Sequence, residues 1–283
     1  MSPGGKAVYG TRPAGSLFAR ARACIDACDP DAKLALTRDT AQAWRAGLLR
    51  PVDSIVPEPI AAPGRPERPE LVHPSRVVAR KLTRAAGRAA LLHALAHIEF
   101  NAINLAWDAV YRFRGLPPAY YGDWVRVADE EGRHFGLLRE RLRSLGHDYG
   151  DYPAHDGLWE MACRTDHDVL VRMALVPRVL EARGLDVTPG MITRLQGAGD
   201  LDSAGVLEII FRDEIGHVEI GSRWYRYLCR QRALDPLETF RKLLDEYMHG
   251  RVKNPLNDTA RRQAGFDRDE LELLHGITRE ERR

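Results

Sequence analysis

Residues 129–135 read DEEGRHF and residues 212–218 read RDEIGHV. Each segment carries a glutamate and, three positions on, a histidine: Glu131 with His134, and Glu214 with His217. At 3.6 residues per helical turn, positions i and i+3 lie about 60° apart, so both side chains can grip one ion. Around Glu131 the same helix face holds Trp124, Val127, Ala128, Phe135 and Leu138; around Glu214 it holds Leu207, Ile210, Phe211, Val218 and Gly221. The acids therefore sit within apolar stripes, against the usual division of a helix into apolar and polar faces. A buried carboxylate without a partner costs several kcal/mol, so each needs a cation or a proton.

The same logic picks out Glu99 upstream, and the spacing adds Glu181, whose upstream face holds Leu170, Ala174 and Arg178. Glu99 lies in a stripe of Leu92, Leu95, Ala96, Ala102, Ile103 and Ala106, and precedes Glu131 by 32 residues. Glu181 precedes Glu214 by 33 residues. A glutamate on one helix followed by Glu-x-x-His on the next thus occurs twice, and two hairpins related by a pseudo-twofold would gather Glu99, Glu131, His134, Glu181, Glu214 and His217. Pro177 must kink the helix one turn before Glu181. That kink either re-aims Glu181 into the cluster or marks a different ligand. Four carboxylates balance two divalent cations when both imidazoles are neutral. Without cations the carboxylates would repel and some would take up protons. The oxygen-rich, sulfur-free set suits iron or manganese, or a mixed pair, better than structural zinc.

Glu130 and Asp213 precede the two motif glutamates directly. Metal-bound histidines commonly donate their free N–H to a carboxylate. Across the pseudo-twofold, Asp213 would hold His134 and Glu130 would hold His217; otherwise both are solvated helix acids. Arg133 pairs with such an acid, for example Glu130, or makes a surface salt bridge.

Working outward, residues 16–46 predict two short helices, with Asp29-Pro30 as the break. Seven prolines between Pro51 and Pro74 predict an extended linker or wrapping arm. Long helices are predicted over 76–114, 120–145, 155–183 (closed by Gly184) and 200–231, with a short helix after Pro189 and another from Asp235-Pro236 to about Tyr247. The class is all-α: a four-helix bundle over 76–250, an N-terminal helical segment over 1–50, an arm over 51–75 and a helical, partly irregular tail over 251–283. The tail segment RVKNPLNDTARRQ reads as solvated, with an anion contact as the alternative. His93, His97, Asn101 and Asn104 read as helix-packing hydrogen bonders, the alternative being a substrate or extra metal face. Trp107, Tyr111, Trp124 and Trp159 read as core rather than as cavity walls or electron relays. Ala96, Ala102, Ala128 and Gly221 either leave room beside the metals or let helices pack closely.

The 283 residues carry 44 % hydrophobic and 29 % charged residues with a net charge of +2. That balance makes neither a nucleic acid nor a membrane the expected partner. No apolar run reaches the ~18–20 residues of a membrane span. The opening MSPGGKAVYG lacks a secretory pattern, so a cytoplasmic location is expected. Four cysteines are too few for a disulfide framework. Cys24 and Cys28, spaced to share a helix face, read as small buried side chains, the alternative being a weak metal or redox pair. The lack of Cys-x-x-Cys excludes a built-in rubredoxin-type module.

With these motifs in view, the doubled Glu…Glu-x-x-His pattern resembles the ferritin-like di-iron carboxylate superfamily. HALAHIEFNAINLAWDAVYRF, DEEGRHFGLLRERL, ALVPRVLEARGLDVTPGMI and LEIIFRDEIGHVEIGSRWYRYL resemble, more closely, an uncharacterised bacterial ferritin-like family; the tRNA-modifying hydroxylases are more distant. The resemblance spans about residues 75–260 and implies the fold and the six ligands, not the substrate. The expected activity is an O2-activating di-iron oxidoreductase, an oxidase or hydroxylase, acting as a monomer or homodimer on an unknown small substrate, with electrons from a separate donor protein. Two other readings stand beside it: iron handling by ferroxidase or storage, and a non-catalytic binding protein stabilised by its metals.

Overall fold

The computed structural model describes residues 15–52, 56–76 and 81–280. The chain is all-α; its strands, among the described residues, are the two-residue parallel pair Gly15–Ser16 and Leu49–Arg50. Helices α1 (Leu17–Asp26) and α2 (Pro30–Arg45) come first. Asp29 caps α2 by accepting from Ala32 N at 2.8 Å, with Pro30 at the first helical position. Helix α3 (Ala85–Arg112) is buried without interruption from Glu99 to Tyr111. A helix apolar all round must be surrounded, and α3 is: α1 packs on it, α4 (Pro118–Ser144) runs beside it, and α5 (Gly157–Arg164) covers another side.

The predicted helix from residue 76 begins only at Ala85. Residues 77–80 lie outside the described residues, and residues 81–84 are not helical. Positions 83 and 84 are exposed, so extending the helix through them would bury no apolar face to offset the entropy of ordering them. The third predicted helix is also different. It is divided into α5, α6 (Val169–Leu175), a wide π-helical turn over Val176–Glu181 and α7 (Ala182–Gly197). Gly184 does not close it and Pro189 does not start a new one; both lie inside α7. Pro189 has no N–H to give the Leu185 carbonyl. Asn257 Nδ2 donates to that carbonyl instead, at 3.1 Å.

Helix α8 (Leu201–Gln231) returns along α6 and α7. The hairpins α3–α4 and α6/α7–α8 meet along α4 and α8, while α3 and α7 face each other across a cavity. Helix α9 (Pro236–Met248) follows, capped by Asp235.

The segment predicted as solvated tail is packed. Helices α10 (Asp258–Gln263) and α11 (Arg268–Glu280) form there, and buried Arg261 grips buried Asp186 of α7 through two hydrogen bonds of 2.9 and 2.7 Å. Arg183 donates to the carbonyls of Lys253, Asn254 and Pro255. The proline-rich segment lies against the helices: Gly64 N donates to Ile25 O, Glu58 N to Tyr111 Oη, and Trp159 Nε1 to Ala61 O. One apolar core runs from Leu17 to Leu274. Residues 1–14, 53–55 and 281–283 of the predicted N-terminal segment, arm and tail lie outside the described residues. Cys24 is buried in α1, whereas Cys28 lies past its end and is exposed, so the two do not share a helix face.

Candidate metal centre

Glu99 sits midway along α3, Glu131 and His134 on the inner face of α4, Glu214 and His217 on that of α8, and Glu181 at the last position of the π turn. Glu131 is 1 % exposed and both histidines are fully buried. Ligand atoms of Glu99, Glu131, His134 and Glu214 all lie within 4.8 Å of one another. Glu131 stands between the histidines: Oε2 is 3.3 Å from His134 Nδ1, and Oε1 is 3.0 Å from His217 Nδ1. Glu99 Oε2 lies 3.4 Å from His134 Nδ1. Glu214 Oε1 lies 3.3 Å from His217 Nδ1 and 3.9 Å from His134 Nδ1. Glu181 is not part of the tight quartet; it lines the same cavity as Glu99, Glu131 and Glu214.

The far nitrogens of both rings point to acids on the opposite hairpin. His134 Nε2 is 3.1 Å from Asp213 Oδ2, and His217 Nε2 is 2.8 Å from Glu130 Oε2. A carboxylate accepting from Nε2–H leaves Nδ1 as the lone-pair nitrogen facing the cluster, the tautomer a metal ligand requires. Arg133 pairs with Asp213.

The electrostatics test whether cations fit. Burial pushes the Glu99 carboxyl well up, helped by neighbouring Glu131. Burial, then Glu214 and Glu131, pushes Glu181 up to about 8. Burial opposes ionisation of Glu131 too, but His217 and hydrogen bonds from its neighbours outweigh it and hold Glu131 well below the carboxylate range. Burial likewise opposes charging His134, yet its bonds to Glu131 and Glu99 raise it to about 11. Protons on acids and imidazoles thus do here what cations would do. Glu181 Oε2 remains buried without any hydrogen-bond partner, and Glu99 Oε2 makes no well-formed hydrogen bond, with His134 Nδ1 3.4 Å away. An orphaned carboxylate oxygen in such a cluster fits metal ligation, because a buried polar atom otherwise finds a donor.

The π turn sets the position of Glu181. Pro177 lies within it, and Gly221 of α8 lets the proline ring approach: a Cβ at Gly221 would sit 2.3 Å from Pro177 Cγ. Gly221 therefore serves helix packing. Of the other small residues, Ala102 lines the cavity, while Ala96 and Ala128 are buried outside it.

The cavity beside the carboxylates has a volume of about 210 Å³. Its walls are mostly apolar, including Ile98, Leu158, Met191 and Ile210. Sequence reading placed Ile210 beside Glu214 but missed Ile98, Leu158 and Met191, which come from three separate helices. Their signal was present: Leu95, Ile98, Glu99, Ala102 and Leu105 form one helical stripe, and Glu181, Gly184, Thr188 and Met191 another, each passing through a glutamate. The predicted packing residues do pack: His93 Nε2 accepts from Gly150 N, His97 bonds Tyr149 Oη and the His155 carbonyl, and Asn104 accepts from buried Lys33. Trp107, Tyr111, Trp124 and Trp159 are core residues.

A family model described as a protein of unknown function, DUF455, matches residues 26–272, which include all six residues of the cluster. The chain belongs to the DUF455 family. An uncharacterized protein of Haemophilus influenzae is 49% identical to this DUF455 chain over 219 residues, covering 75% of it and 76% of the relative. No solved structure matches the chain. Among the described residues of this DUF455 protein, no helix is long and apolar enough to cross a membrane.

Proposed function

We propose that this protein is a ferritin-like dinuclear metal protein that uses iron to oxidise a small, largely apolar substrate with O2. Glu99 and His134 would hold one ion, Glu181 and His217 the other, with Glu131 and Glu214 between them. Two ferrous ions there would supply electrons to O2; hydroxylation of a C–H bond places one oxygen atom in the product and releases the other as water, consuming two electrons and two protons from a donor. The chain's own part is to hold the ligands rigid, fix the imidazole tautomers through Asp213 and Glu130, and exclude water with an apolar wall.

The observation that carries this reading is the position of Glu131 between two inward-facing imidazole nitrogens, with Glu99 and an orphaned Glu181 oxygen beside an apolar cavity. A path for hydrated iron ions, as storage requires, would be lined by acids; this cavity is lined by Leu, Ile, Val and Met around the ligands. The test is stopped-flow absorption of anaerobically reduced, iron-loaded protein mixed with O2. Rapid oxidation, lost in Glu131→Ala and His217→Ala, is the expected result. A ferrous protein that stays reduced for hours in air-saturated buffer, with reductant and apolar substrates present, would end the oxidoreductase reading.

A further inference from the structure

The cavity over the carboxylates adjoins a second, larger one. A groove of about 600 Å³ runs between α5, α7 and the segment after α9, and it shares His155, Leu158, Leu180 and Arg183 with the cavity. The π turn and the start of α7 form the partition: Glu181 lines the cavity, Arg178 lines the groove, and Leu180 and Arg183 line both.

The charge of the groove is one-sided. Its cations are Arg164, Arg178, Arg183, Arg251, Lys253 and Arg261, and its one acid is Asp186. Asp186 is committed to Arg261 through two hydrogen bonds. Arg178 is paired with Glu270 behind the groove wall. Even so, Arg261 Nη1 and Arg178 Nε and Nη1 are buried with no acceptor. Arg251 and Lys253 are exposed at the rim, and neither side chain has an ion-pair partner among the described residues. Arg183 holds the carbonyls of residues 253–255, and so fixes the stretch that carries Lys253. The buried guanidinium groups lie over aromatic rings, Arg178 over Tyr225, Phe240 and Phe266 and Arg261 over Phe266; it is the exposed Arg251 and Lys253, at the rim of a groove whose one acid is committed, that fit a ligand bringing oxygen acceptors and negative charge.

We propose that the substrate is an anionic amphiphile, with its apolar segment in the cavity beside the metal-binding carboxylates and its phosphate or carboxylate in the basic groove. The assignment rests on the functional reading above for the chemistry, but its geometry is independent of it. A water occupies about 30 Å³ of liquid, so the cavity has room for about seven, and hence for an apolar segment of roughly seven or eight heavy atoms.

The test is calorimetric titration of the full-length protein, metal-free and iron-loaded, with octyl phosphate, nonanoate, 1-octanol and inorganic phosphate. Octyl phosphate or nonanoate should bind one per chain, at least ten-fold tighter than both octanol and phosphate. The double variant Arg251→Ala/Lys253→Ala should weaken the amphiphile at least ten-fold and leave octanol unchanged. A Cβ at Gly184 meets nothing within 4 Å, and Gly184 lines the cavity; Gly184→Leu should weaken the amphiphile at least ten-fold and leave inorganic phosphate unchanged. Amphiphiles binding no tighter than phosphate would mean a free-anion site only, and no tighter than octanol an apolar cavity only; either overturns the proposal. Two iron ions per chain without amphiphile binding would overturn this assignment and leave the metal reading intact. Amphiphile binding by a protein that takes up no metal would do the reverse.

Discussion

Glu131 of α4 and His217 of α8 meet at 3.0 Å across the junction of the two hairpins, while the other oxygen of Glu131 faces His134 on its own helix. One carboxylate therefore joins the two halves of the cluster. Glu130, next to Glu131, and Asp213, next to Glu214, cross the same junction outside it.

From those crossings comes the first prediction. Asp213→Asn and Glu130→Gln remove charge from the acceptors that orient His134 and His217. Each should weaken metal affinity about 10–100-fold, the usual effect of losing such a partner. Competition with a coloured chelator measures this. Unchanged affinity in both variants would mean the acids are ordinary surface groups.

Stability without metal should fall as pH rises from about 6.5 to 8. Glu181, pushed up to about 8, and His134, raised to about 11, keep protons in the folded protein that the unfolded chain has released in this window. The folded state then binds more protons, and stability declines with pH. His93 and His97, lowered to about 4 by burial, oppose this trend only at the lower edge of the window, where the unfolded chain's histidines still hold protons, and Lys33, lowered to about 8 by burial, opposes it only at the upper edge. Because metal displaces the protons, the gain in melting temperature on metal loading should grow over the same range. Thermal melts at three pH values check both slopes; a metal-free melting point that rises through the window contradicts them.

Much of this cluster was legible in the sequence because a buried acid breaks helical patterning wherever it falls, as Glu99, Glu131 and Glu214 do, and the repeated interval added Glu181. The pairing of Asp213 with His134 followed from a pseudo-twofold that the spacing already contained. The course of residues 155–197 was not legible. Pro177 widens a turn without ending the helix, Pro189 is tolerated because Asn257, 68 positions later, satisfies the Leu185 carbonyl, and neither effect is local. The packed tail was hidden for a similar reason. Arg261 looks solvated until its partner Asp186 is known, and that acid lies on a helix 75 positions away.

Gly221→Ala should cost about 1–3 kcal/mol of stability, the range for overpacking, since the new Cβ would overlap the Pro177 ring, which has no flexible end to move. Displacement of the π turn would also shift Glu181, so the second metal should be lost before the first. Denaturant unfolding with parallel metal analysis tests both parts. A fully stable Gly221→Ala protein with full metal content would refute the packing role.

Glu270→Ala should cost about 3–5 kcal/mol, because it strands the fully buried Arg178 guanidinium. The pair ties α11 to the π turn. Wild-type stability in this variant would show that the tail is dispensable to the bundle.

The central claim is that six side chains hold two metal ions. Elemental analysis of protein loaded anaerobically with ferrous iron and then desalted tests it most directly. The expected content is close to two ions per chain, falling to one or fewer in Glu131→Ala. A ceiling of one ion in the wild type, unmoved by Glu131→Ala, would contradict it.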